Sequence, residues 1–395
     1  MTQTPETRIP GTQVPAELSQ QVIQWRRHLH RHPELSFQEH HTAQFVEEEL
    51  RRLPHLSVSR PTPTSVLAVL RGQAGPGKTV LLRADMDALP IQEETGLEFT
   101  SQNQGVMHAC GHDGHTAMLL GAARMLSAHP ETLSGEVRFI FQHAEELPPG
   151  GAQQLVDAGL MDGVDTVMGI HLMSPVPTGV VVVKGGPLMA AADRFSLKIQ
   201  GKGGHGAMPN QTIDPVVIAA QIILAFQTIV SRTLDPMDTA VVTVATLEGG
   251  QAMNVIPDTV TLGGTVRTFN PEVRTLIPER MEAIAKGITQ AHGATYQFDY
   301  IQGYRATTND PEVAAKLQEM VRQVLPEAQL LTNPNPLMGS EDFSAYMTKA
   351  PGTFVLIGAG GPDAAPHHHP KFDLDEQALE QGVKLYIGAA HTLTR

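Results

Sequence analysis

The sequence predicts an α/β protein with helices on both faces of a mixed sheet, interrupted by a smaller, inserted α+β domain. Short apolar runs bounded by Gly and Pro alternate with helical stretches over the first 190 residues, as is typical of strands buried on both faces. A middle block then changes to strands of alternating polarity, and the earlier character resumes near residue 308. At 395 residues, the chain is also too long for one ordinary core.

The elements of the larger domain follow from apolar periodicity and from the residues that break it. An S-x-x-E pattern, Ser36 to Glu39, is typical of a capping box and predicts the start of the second helix. The predicted order is helices at 15–30 and 36–53, strands at 65–70 and 79–85, a helix at 115–126, a strand at 136–143, a helix at 151–158 and a strand at 164–171. After the insertion come a helix at 311–325, a strand at 353–358 and a closing helix from about residue 375.

The middle block is expected to form a separate domain. Its strands alternate between apolar and polar residues, as half-exposed strands do. The predicted order is a strand at 193–200, a helix at 213–231, strands at 239–249 and 258–269, a helix at 272–292 and a strand at 294–300. This β-α-β-β-α-β order is typical of ferredoxin-like folds. We therefore expect a discontinuous catalytic domain at 1–190 and 308–395, with the insertion at 191–307.

Charge and hydropathy argue against several classes of function. A net charge of −13 makes nucleic acid an unsuitable partner, since a phosphate-binding surface needs a basic excess. No apolar run approaches the roughly 20 residues that span a bilayer, so no membrane segment is expected. The polar N-terminal stretch, residues 1–20, lacks the apolar core of a secretory signal. A single cysteine cannot form an internal disulfide, and a cytoplasmic location is expected.

The single cysteine, Cys110, lies in the segment HACGHDGH, where three histidines, one thiol and one carboxylate fall within eight residues. A lone cysteine is usually buried and inert, but one among histidines is more often a metal ligand or a nucleophile. Thiolate and neutral imidazole suit divalent ions such as zinc. The glycines allow a tight turn that would aim Cys110 and His112 at one point. We therefore favour a metal site over a buried structural patch.

Further candidate ligands follow the predicted strands. In an open α/β sheet, side chains at the carboxyl ends of the strands converge on one crevice even when they are distant in sequence. Each residue alone is more readily explained as a solvated loop residue, but that explanation is weak for all of them together. The candidates are Asp85, Asp87, His143, Glu145, Glu146, His171 and His368.

Two adjacent carboxylates, Glu145 and Glu146, could divide the work of a metal-dependent hydrolase. An acidic helix N-terminus is the alternative explanation, because carboxylates there are common and stabilising. In the functional explanation, one carboxylate binds the ion and its neighbour accepts the proton of a metal-bound water. Zinc lowers the pKa of that water to about 7, so a positioned glutamate can serve as the base.

Several motifs occur in the order seen in one family of hydrolases: HRHPELSFQE, ADMDALP, MHACGHDGHTAM, QHAEE, GIHL, GGHGAMP, NVIPD, MGSEDFS and HHPKFDLDE. Through them the chain resembles the amidohydrolase branch of the carboxypeptidase G and aminoacylase superfamily. Hippurate hydrolase, N-acyl-amino-acid amidohydrolases and plant auxin-conjugate hydrolases belong to this branch. The resemblance extends from about residue 17 to the C-terminus, and the combination of HACGHDGH with QHAEE is highly specific.

The resemblance implies a dinuclear metallopeptidase site with two divalent ions, such as Zn, Mn, Ni or Co. The ligands that it implies are Cys110, His112, Glu146, His171 and His368. Glu145 then takes the position of the general base, and Asp87 that of a carboxylate that orients a metal-binding side chain. Asp85 stands where relatives outside this branch have a metal-binding histidine. His368 is preferred to the histidines on either side because it lies two residues before Pro370.

The resemblance also implies that the inserted domain is a lid or dimerisation domain, so a homodimer or homotetramer is expected. His205 in GKGGHG matches a histidine that reaches the active site of a neighbouring subunit and stabilises the oxyanion. Asn254 and Arg267 match residues that bind the carboxylate of the substrate, and the bidentate fork of an arginine suits that task. The alternatives are a turn histidine among glycines and an exposed strand arginine.

These expectations combine into a metal-dependent amidohydrolase with a small-molecule substrate. It would hydrolyse the amide bond of an N-acyl or N-aroyl amino acid to a carboxylic acid and a free amino acid. A carboxypeptidase, a dipeptidase or a deacetylase of an N-acetyl diamino acid would use the same site with a different pocket. A protein that binds a metal or ligand without catalysis is a further alternative, but such a protein is expected to lack the base, and Glu145 is present.

Overall fold

The structure, a computed structural model, describes residues 9–395 of the chain. Residues 1–8, part of the stretch in which no secretory signal was expected, lie outside the described residues. The chain divides into two compact units. The first comprises the described residues up to Leu188 together with Thr308–Asn335 and Asp342–Arg395, and the second comprises Met189–Thr307 and Pro336–Glu341. Residues 336–341 thus belong to the second unit in addition to the range expected from the sequence.

The elements of the first unit follow the strand–helix alternation of the sequence. Before the second unit they are α1 (Ala16–Arg31), α2 (His40–Arg51), β1 (Leu56–Ser59), β2 (Val66–Arg71), β3 (Thr79–Asp85), α3 (His112–Ala128), β4 (Glu136–Gln142), α4 (Gly151–Asp157), β5 (Thr166–Pro177), β6 (Val180–Val182) and β7 (Gly186–Met189). In the second unit they are β8 (Ala191–Gln200), β9 (Gly204–His205), α5 (Pro215–Thr228), β10 (Ala240–Glu248), β11 (Val255–Ile256), β12 (Thr259–Thr268), α6 (Pro271–Ala291) and β13 (Thr295–Gln302). The chain then continues through β14 (Thr307–Asn309), α7 (Pro311–Val324), β15 (Gln329–Leu331), β16 (Gly352–Gly360) and α8 (Gln377–Leu393).

The first unit is built on a mixed sheet of eight strands in the order β1-β2-β4-β3-β5-β16-β6-β15. Strands β4, β3, β5 and β16 run parallel to their neighbours in this central part. Their carboxyl ends therefore lie along one edge, and the segments that follow them can meet there. One detail differs from the sequence prediction: β5 continues to Pro177, so His171 lies within the strand and not at its end.

Helix α3 is held tightly between its neighbours. A Cβ atom added to Gly121 of α3 would lie 2.8 Å from side-chain atoms of Val22 in α1 and of Val383 in α8. Because glycine has no side chain, the three helices can approach closely at this point. This packing fixes the helix whose N-terminus carries the HACGHDGH motif.

The predicted capping box at the start of α2 was wrong. The residue before the helix, Glu39, makes no side-chain cap, and the carboxylate of Glu34 instead accepts the backbone N–H of Thr42 over 2.8 Å. The hydroxyl of Ser36 donates to the buried carboxylate of Asp87 over 2.6 Å. The side chain of Glu39 accepts the backbone N–H of Ala144. Both residues of the motif therefore bond to distant parts of the chain and not to the helix end.

The second unit contains a four-stranded antiparallel sheet in the order β10-β12-β8-β13. Its elements follow the β-α-β-β-α-β order expected from the sequence, with α5 and α6 contributing to one apolar core. Representative buried side chains are Phe195 and Leu197 of β8, Phe226 of α5 and Met281 of α6. This core is separate from that of the first unit.

One helical stretch, Pro215–Thr233, is long and apolar enough to span a membrane, with 19 residues and a mean hydropathy of 1.6. The expectation from the sequence concerned unbroken apolar runs and is not tested by this finding, which rests on mean hydropathy. Polar residues such as Gln221 and Gln227 interrupt the apolar run but leave its mean hydropathy high. The criterion concerns length and composition only, and core helices also meet it. In this stretch Ile222 and Phe226 are fully buried in the core of the second unit, while 28% of the apolar window as a whole is buried.

Candidate metal centre

The first two candidate ligands flank the N-terminus of α3. Gly111, the residue before the helix, has a φ of 91°, in the left-handed region that glycine adopts without strain. Cys110 and His112 on either side of it are buried, with 9% and 1% of their surfaces exposed. The turn at the glycine thus brings two neighbouring side chains into the interior together.

His112 and His171 both keep Nε2 available, because a backbone carbonyl fixes the proton on Nδ1 of each ring. Nδ1 of His112 donates to the backbone oxygen of Asp87 over 2.9 Å, and Nδ1 of His171 donates to that of Leu172 over 2.8 Å. Nε2 of His171 lies 3.5 Å from Sγ of Cys110. Hydrogen bonds that fix the tautomer in this way are typical of metal-binding histidines.

Glu146 and His368 form the other side of the cluster. Oε1 of Glu146 lies 3.1 Å from Nε2 of His368 and 3.9 Å from Nε2 of His112. The backbone N–H of Glu146 donates to Oδ2 of Asp87 over 2.9 Å. Asp87, whose other oxygen lies 3.2 Å from Nδ1 of His112, therefore positions residues on both sides of the cluster.

The residues present fit divalent metal ions. Two groups of possible ligand atoms, Cys110/His112/His171 and Cys110/Glu146/His368, each lie within 4.8 Å of one another and share the cysteine sulfur. Nε2 of His112 is buried without a hydrogen-bond partner among residues 9–395. A buried polar atom without a partner is costly, and a cation would satisfy this one.

The electrostatics of the cluster also favour a cation. Burial, followed by the charge of Glu146, raises the pKa of the Cys110 thiol well above its usual range. Burial by itself would lower the pKa of His112, but the charge of Asp85 and the hydrogen bond with Asp87 outweigh it and raise this pKa to about 10. A divalent ion would supply the positive charge that these carboxylates attract and would allow the thiolate to form.

Asp85 belongs to a buried network beside the ligands. Its carboxylate accepts hydrogen bonds from Nη1 of Arg83 and Nδ1 of His115, both over 2.6 Å. Nε2 of His115 accepts the backbone N–H of Leu172 over 2.9 Å, so both nitrogens of this ring are engaged. Although Asp85, His112 and His115 also lie within 4.8 Å of one another, we infer that Asp85 and His115 position the ligands. His115, which follows His112 by three positions in the same motif, was not among the site residues predicted from the sequence.

The three successive histidines 367–369 differ in what their imidazoles contact. Nε2 of His367 donates to the backbone oxygen of Leu172 over 2.9 Å, and Nδ1 of His369 accepts the backbone N–H of Lys371 over 3.1 Å. His368 has a φ of 63°, and its Nε2 lies beside Glu146. This left-handed backbone, uncommon for a residue other than glycine, sets the direction of His368 apart from that of its neighbours.

Glu145 lies beside the cluster, whereas His143 faces α4. Glu145 is 6% exposed, and one of its oxygens lies within 4.8 Å of a ligand atom of His112. Its Oε1 also accepts the backbone N–H of Asp342 over 3.4 Å. His143, which was a candidate by its position after a strand, instead contacts the side chain of Gln154 through Nε2 over 3.0 Å.

A second buried network, which was not predicted from the sequence, holds the segment that contacts Glu145. The carboxylate of Asp342 accepts hydrogen bonds from Arg83 over 2.9 Å and from the side chain of Gln142 over 2.8 Å. It also accepts the backbone N–H of Ala152 over 2.9 Å. Arg83 was the available sign of this network, because an arginine in a buried strand needs charged partners.

The three candidate substrate-binding residues lie in the second unit. His205 on β9 pairs with β11, and Asn254 directly precedes that strand. Nδ1 of His205 accepts the backbone N–H of Ala207 over 3.0 Å, so the proton lies on Nε2 of an exposed ring. Arg267 is half-buried on β12, where burial lowers the pKa of its guanidinium. Within this unit, His205 and Asn254 are therefore neighbours, while Arg267 belongs to the four-stranded sheet.

Comparison with known proteins finds relatives over most of the chain. Peptidase family M20/M25/M40 matches residues 81–392. An N-acyl-L-amino acid amidohydrolase of Geobacillus stearothermophilus is 58% identical over 296 residues, which are 75% of this chain and 80% of that protein. Thermostable carboxypeptidase 1 of Saccharolobus solfataricus is 42% identical over 373 residues, 93% of this chain and 94% of that protein. An N-acetylcysteine deacetylase of Bacillus subtilis is 42% identical over 362 residues, 91% of this chain and 93% of that protein.

Solved structures share the fold along nearly the whole chain. The YXEP protein of Bacillus subtilis, a dinuclear metal binding peptidase from the M20 family, matches with a TM-score of 0.84 and 37% identity, covering 96% of this chain and 99% of that chain. A tripeptidase of Staphylococcus aureus matches with a TM-score of 0.73 at 20% identity, which indicates a common fold alone. These matches confirm the α/β fold class expected from the sequence.

The contacts of the three histidines 367–369 generate a test of the ligand set. We expect His368→Ala to weaken binding of Mn²⁺ or Zn²⁺ by at least about tenfold. Mutating a residue that only supports a metal ligand already lowers metal affinity by about this factor, and losing a ligand should lower it at least as far. His369→Ala is the matched control and should bind metal as the wild type does. Isothermal titration of metal-free protein measures both affinities, and a larger loss in the control would show that the wrong histidine has been chosen.

Proposed function

Because the chain belongs to peptidase family M20/M25/M40, we propose that it is a metal-dependent amidohydrolase that cleaves the amide bond of N-acyl or N-aroyl amino acids. The products would be a carboxylic acid and a free amino acid. The observation that carries this proposal is the pair of ligand groups that share Cys110, with the carboxylate of Glu145 beside them. The name of the relative that is 58% identical supports the class of substrate.

We infer that two divalent ions bind per chain, one for each group of ligands. The five proposed ligands are Cys110, His112, Glu146, His171 and His368. When bound, such ions polarise a carbonyl group and lower the pKa of water towards 7. A set that combines sulfur, nitrogen and oxygen suits several first-row ions, so Zn, Mn, Ni or Co would serve.

Glu145 is proposed as the general base. Its carboxylate would accept the proton of the attacking water and deliver it to the leaving nitrogen, which requires a base within hydrogen-bond reach of both. The low exposure of Glu145 and its contact with the backbone of Asp342 support this role, since both restrict the side chain. Asp87 would keep Nδ1 of His112 protonated, so that Nε2 remains a ligand.

His205, Asn254 and Arg267 are proposed to act on the substrate. The exposed ring of His205 keeps its proton on Nε2, which suits a donor to the oxyanion of the tetrahedral intermediate. Arg267 and Asn254 would bind the carboxylate of the amino-acid part through hydrogen bonds to its two oxygens. The half-buried setting of Arg267 would strengthen such a pair relative to one in bulk water.

We further propose that the protein assembles as a homodimer or homotetramer through the second unit. Exposed apolar side chains on α5 and on the edge strand β10 support this, among them Val217, Leu224 and Leu247, of which 50%, 72% and 53% are exposed. Edge strands also need cover, and pairing across a two-fold axis provides it. A cytoplasmic location is proposed on the single cysteine alone.

Two related activities are the alternatives on the same site. The 42% identical relatives named as a carboxypeptidase and as an N-acetylcysteine deacetylase support a peptide substrate or a small acyl group, respectively. Both reactions use the same attack on an amide carbonyl. They differ in the groups on either side of the scissile bond.

The direct test is hydrolysis of N-acetyl and N-benzoyl amino acids by protein loaded with Mn, Co, Ni or Zn. We expect activity that chelation abolishes and added metal restores, with up to two ions per chain by elemental analysis. Cys110→Ser should weaken metal binding, because a hydroxyl is a poor substitute for a thiolate. Full activity in protein shown to be free of metal would refute the proposal. Dipeptides in the same panel test the carboxypeptidase alternative.

The role of the base is tested by Glu145→Gln, which keeps the size of the side chain and removes its ability to accept a proton. We expect kcat to fall by at least about 10²-fold, the usual scale for a lost general base, with metal content near that of the wild type. Glu146→Gln is the matched variant and should lose metal. If Glu145→Gln loses metal and Glu146→Gln keeps it, the two roles are reversed.

A mixing experiment tests whether His205 acts in the site of another subunit. His205→Ala should fold and bind metal but be nearly inactive, because an oxyanion donor is worth about 3 kcal/mol. Reassembled with Glu145→Gln subunits, it should regain up to about a quarter of wild-type activity, since random pairing gives one complete site in half of the dimers. If subunit exchange is demonstrated without recovery, His205 does not act across subunits.

A further inference from the structure

The turn that carries the two catalytic carboxylates has a strained backbone. Ala144, which directly precedes Glu145 and Glu146, has a φ of 49° and is fully buried. A left-handed conformation is disfavoured for residues with a Cβ atom and persists only where the surroundings impose it. Because Ala144 sets the direction in which both carboxylates leave the turn, whatever imposes this conformation also places the proposed base and the proposed ligand.

The segment between α1 and α2 contacts this turn. Oε1 of Glu39 accepts the backbone N–H of Ala144 over 2.7 Å. The ring of Phe37 lies edge-on to the ring of His143, with 5.7 Å between the ring centroids. Phe37 itself has a φ of 66°, so each of the two segments in contact contains a residue in the left-handed conformation, Phe37 in one and Ala144 in the other. Ser36 reaches the same turn indirectly through Asp87, which accepts the N–H of the last residue of the turn.

Glu39 is buried as a hydrogen-bond acceptor and not as half of an ion pair. No part of it is exposed, and no arginine or lysine contacts it among the ion pairs of the described residues. Burial, followed by the charge of Asp87, raises the pKa of Glu39 to about 8, so the carboxyl is mostly neutral at pH 7. A neutral acid and a neutral amide of the same shape can both accept the N–H of Ala144. Glutamine therefore keeps the accepting oxygen at this position, while its NH2 group takes the place of Oε2 of Glu39, which is buried without a hydrogen-bond partner among residues 9–395.

We propose that Glu39 is a positioning residue, whose bond to the N–H of Ala144 holds the 143–146 turn in the conformation that aims Glu145 and Glu146 at the metal centre. The inference rests on the proposed function, because it assumes that these carboxylates act as base and ligand. Glu39 does not touch the reacting atoms. Its contribution is the orientation of groups that do, and a displacement of about 1 Å there can cost about 10²-fold in rate.

The test compares Glu39→Gln with Glu39→Leu. Glu39→Gln replaces the hydroxyl of the neutral acid by an NH2 group of similar size and retains the oxygen that accepts the N–H of Ala144, so kcat should stay within about threefold of the wild type. Glu39→Leu removes the acceptor at similar volume, so kcat should fall at least about tenfold. If Glu39→Leu does not fold, Glu39→Asp replaces it, because the side chain shortened by one methylene withdraws the acceptor and should also lower kcat.

A second variant separates positioning from general stability. Ala144→Gly removes the penalty of the left-handed backbone, so the turn should depend less on its anchor. We expect Glu39→Leu to reduce kcat by a smaller factor in the Ala144→Gly background than in the wild type. If Glu39→Leu lowers kcat by the same factor in both backgrounds, the proposal is overturned, because the effect of Glu39 would then be independent of the backbone conformation of Ala144.

Glu34→Leu is the matched structural control. Glu34 caps α2 through the backbone N–H groups of His41 and Thr42, so its loss should lower Tm while kcat of the folded enzyme stays near the wild-type value. If Glu34→Leu and Glu39→Leu lower Tm and kcat in parallel, Glu39 only stabilises the start of α2. An unchanged kcat in Glu39→Leu would likewise overturn the proposal.

Metal binding gives a readout that does not depend on the reaction. Because Glu146 lies on the turn, Glu39→Leu should weaken Mn²⁺ or Zn²⁺ binding at least about threefold in isothermal titration, and Glu39→Gln should not. A wild-type protein that binds metal but hydrolyses no N-acyl amino acid would refute the proposed function and leave this test in place. An active wild type with unchanged affinity and unchanged kcat in Glu39→Leu would refute the positioning role alone.

Discussion

The hydrogen bonds to the carboxylate of Asp87 are the interactions on which the rest of the site depends. It is almost fully buried, yet it accepts hydrogen bonds from three separate segments, through the hydroxyl of Ser36, Nδ1 of His112 and the backbone N–H of Glu146. Burial by itself would raise the pKa of this carboxyl, but the bonds from His112, Ser36 and Glu146 together lower it. An ionised carboxylate can remain in the interior only while its donors stay in place. The approach to α2, the start of α3 and the turn after β4 are therefore held to one another by a single charge.

The sheet supplies the frame for this convergence, and the sequence predicted that part well. Runs of apolar residues bounded by Gly and Pro located the central strands to within a few residues, because burial on both faces leaves a continuous apolar pattern. Asp85, at the end of β3, is in register with Gln142, at the end of β4, so the residues that follow the two strands start from the same level of the sheet. The carboxyl ends of the parallel strands therefore predict where the candidate site lies. The extent of β5 was not predictable in the same way, since its apolar run continues past His171 to Met173 and the strand then includes Ser174, Pro175 and Pro177.

The parts of the site that the sequence did not predict are those that depend on partners distant in the chain. Ser36 and Glu39 match a local capping pattern, but both turn inward to tertiary partners. A buried acceptor that would otherwise lack a partner gains more from such a bond than a solvated helix end does. His143 and Glu145 both follow β4, two positions apart, yet His143 contacts α4 and Glu145 lies beside the cluster. Local spacing in the sequence does not distinguish these two orientations. Sequence patterns therefore predicted which residues gather in the cluster better than they predicted which residues position those side chains.

Two buried groups beside the cluster differ in their partners from the proposed ligand His112. The positioning groups have partners inside the protein: Arg83 bridges Asp85 and Asp342, and both nitrogens of His115 are engaged. Nε2 of the proposed ligand His112, by contrast, is buried without a hydrogen-bond partner among residues 9–395. The network of Arg83, Asp85, His115 and Asp342 is balanced internally, whereas a cation would offset the burial of Nε2 of His112. Groups that already have partners in the protein would let the proposed ions bind without the cost of ordering those groups as the ions arrive.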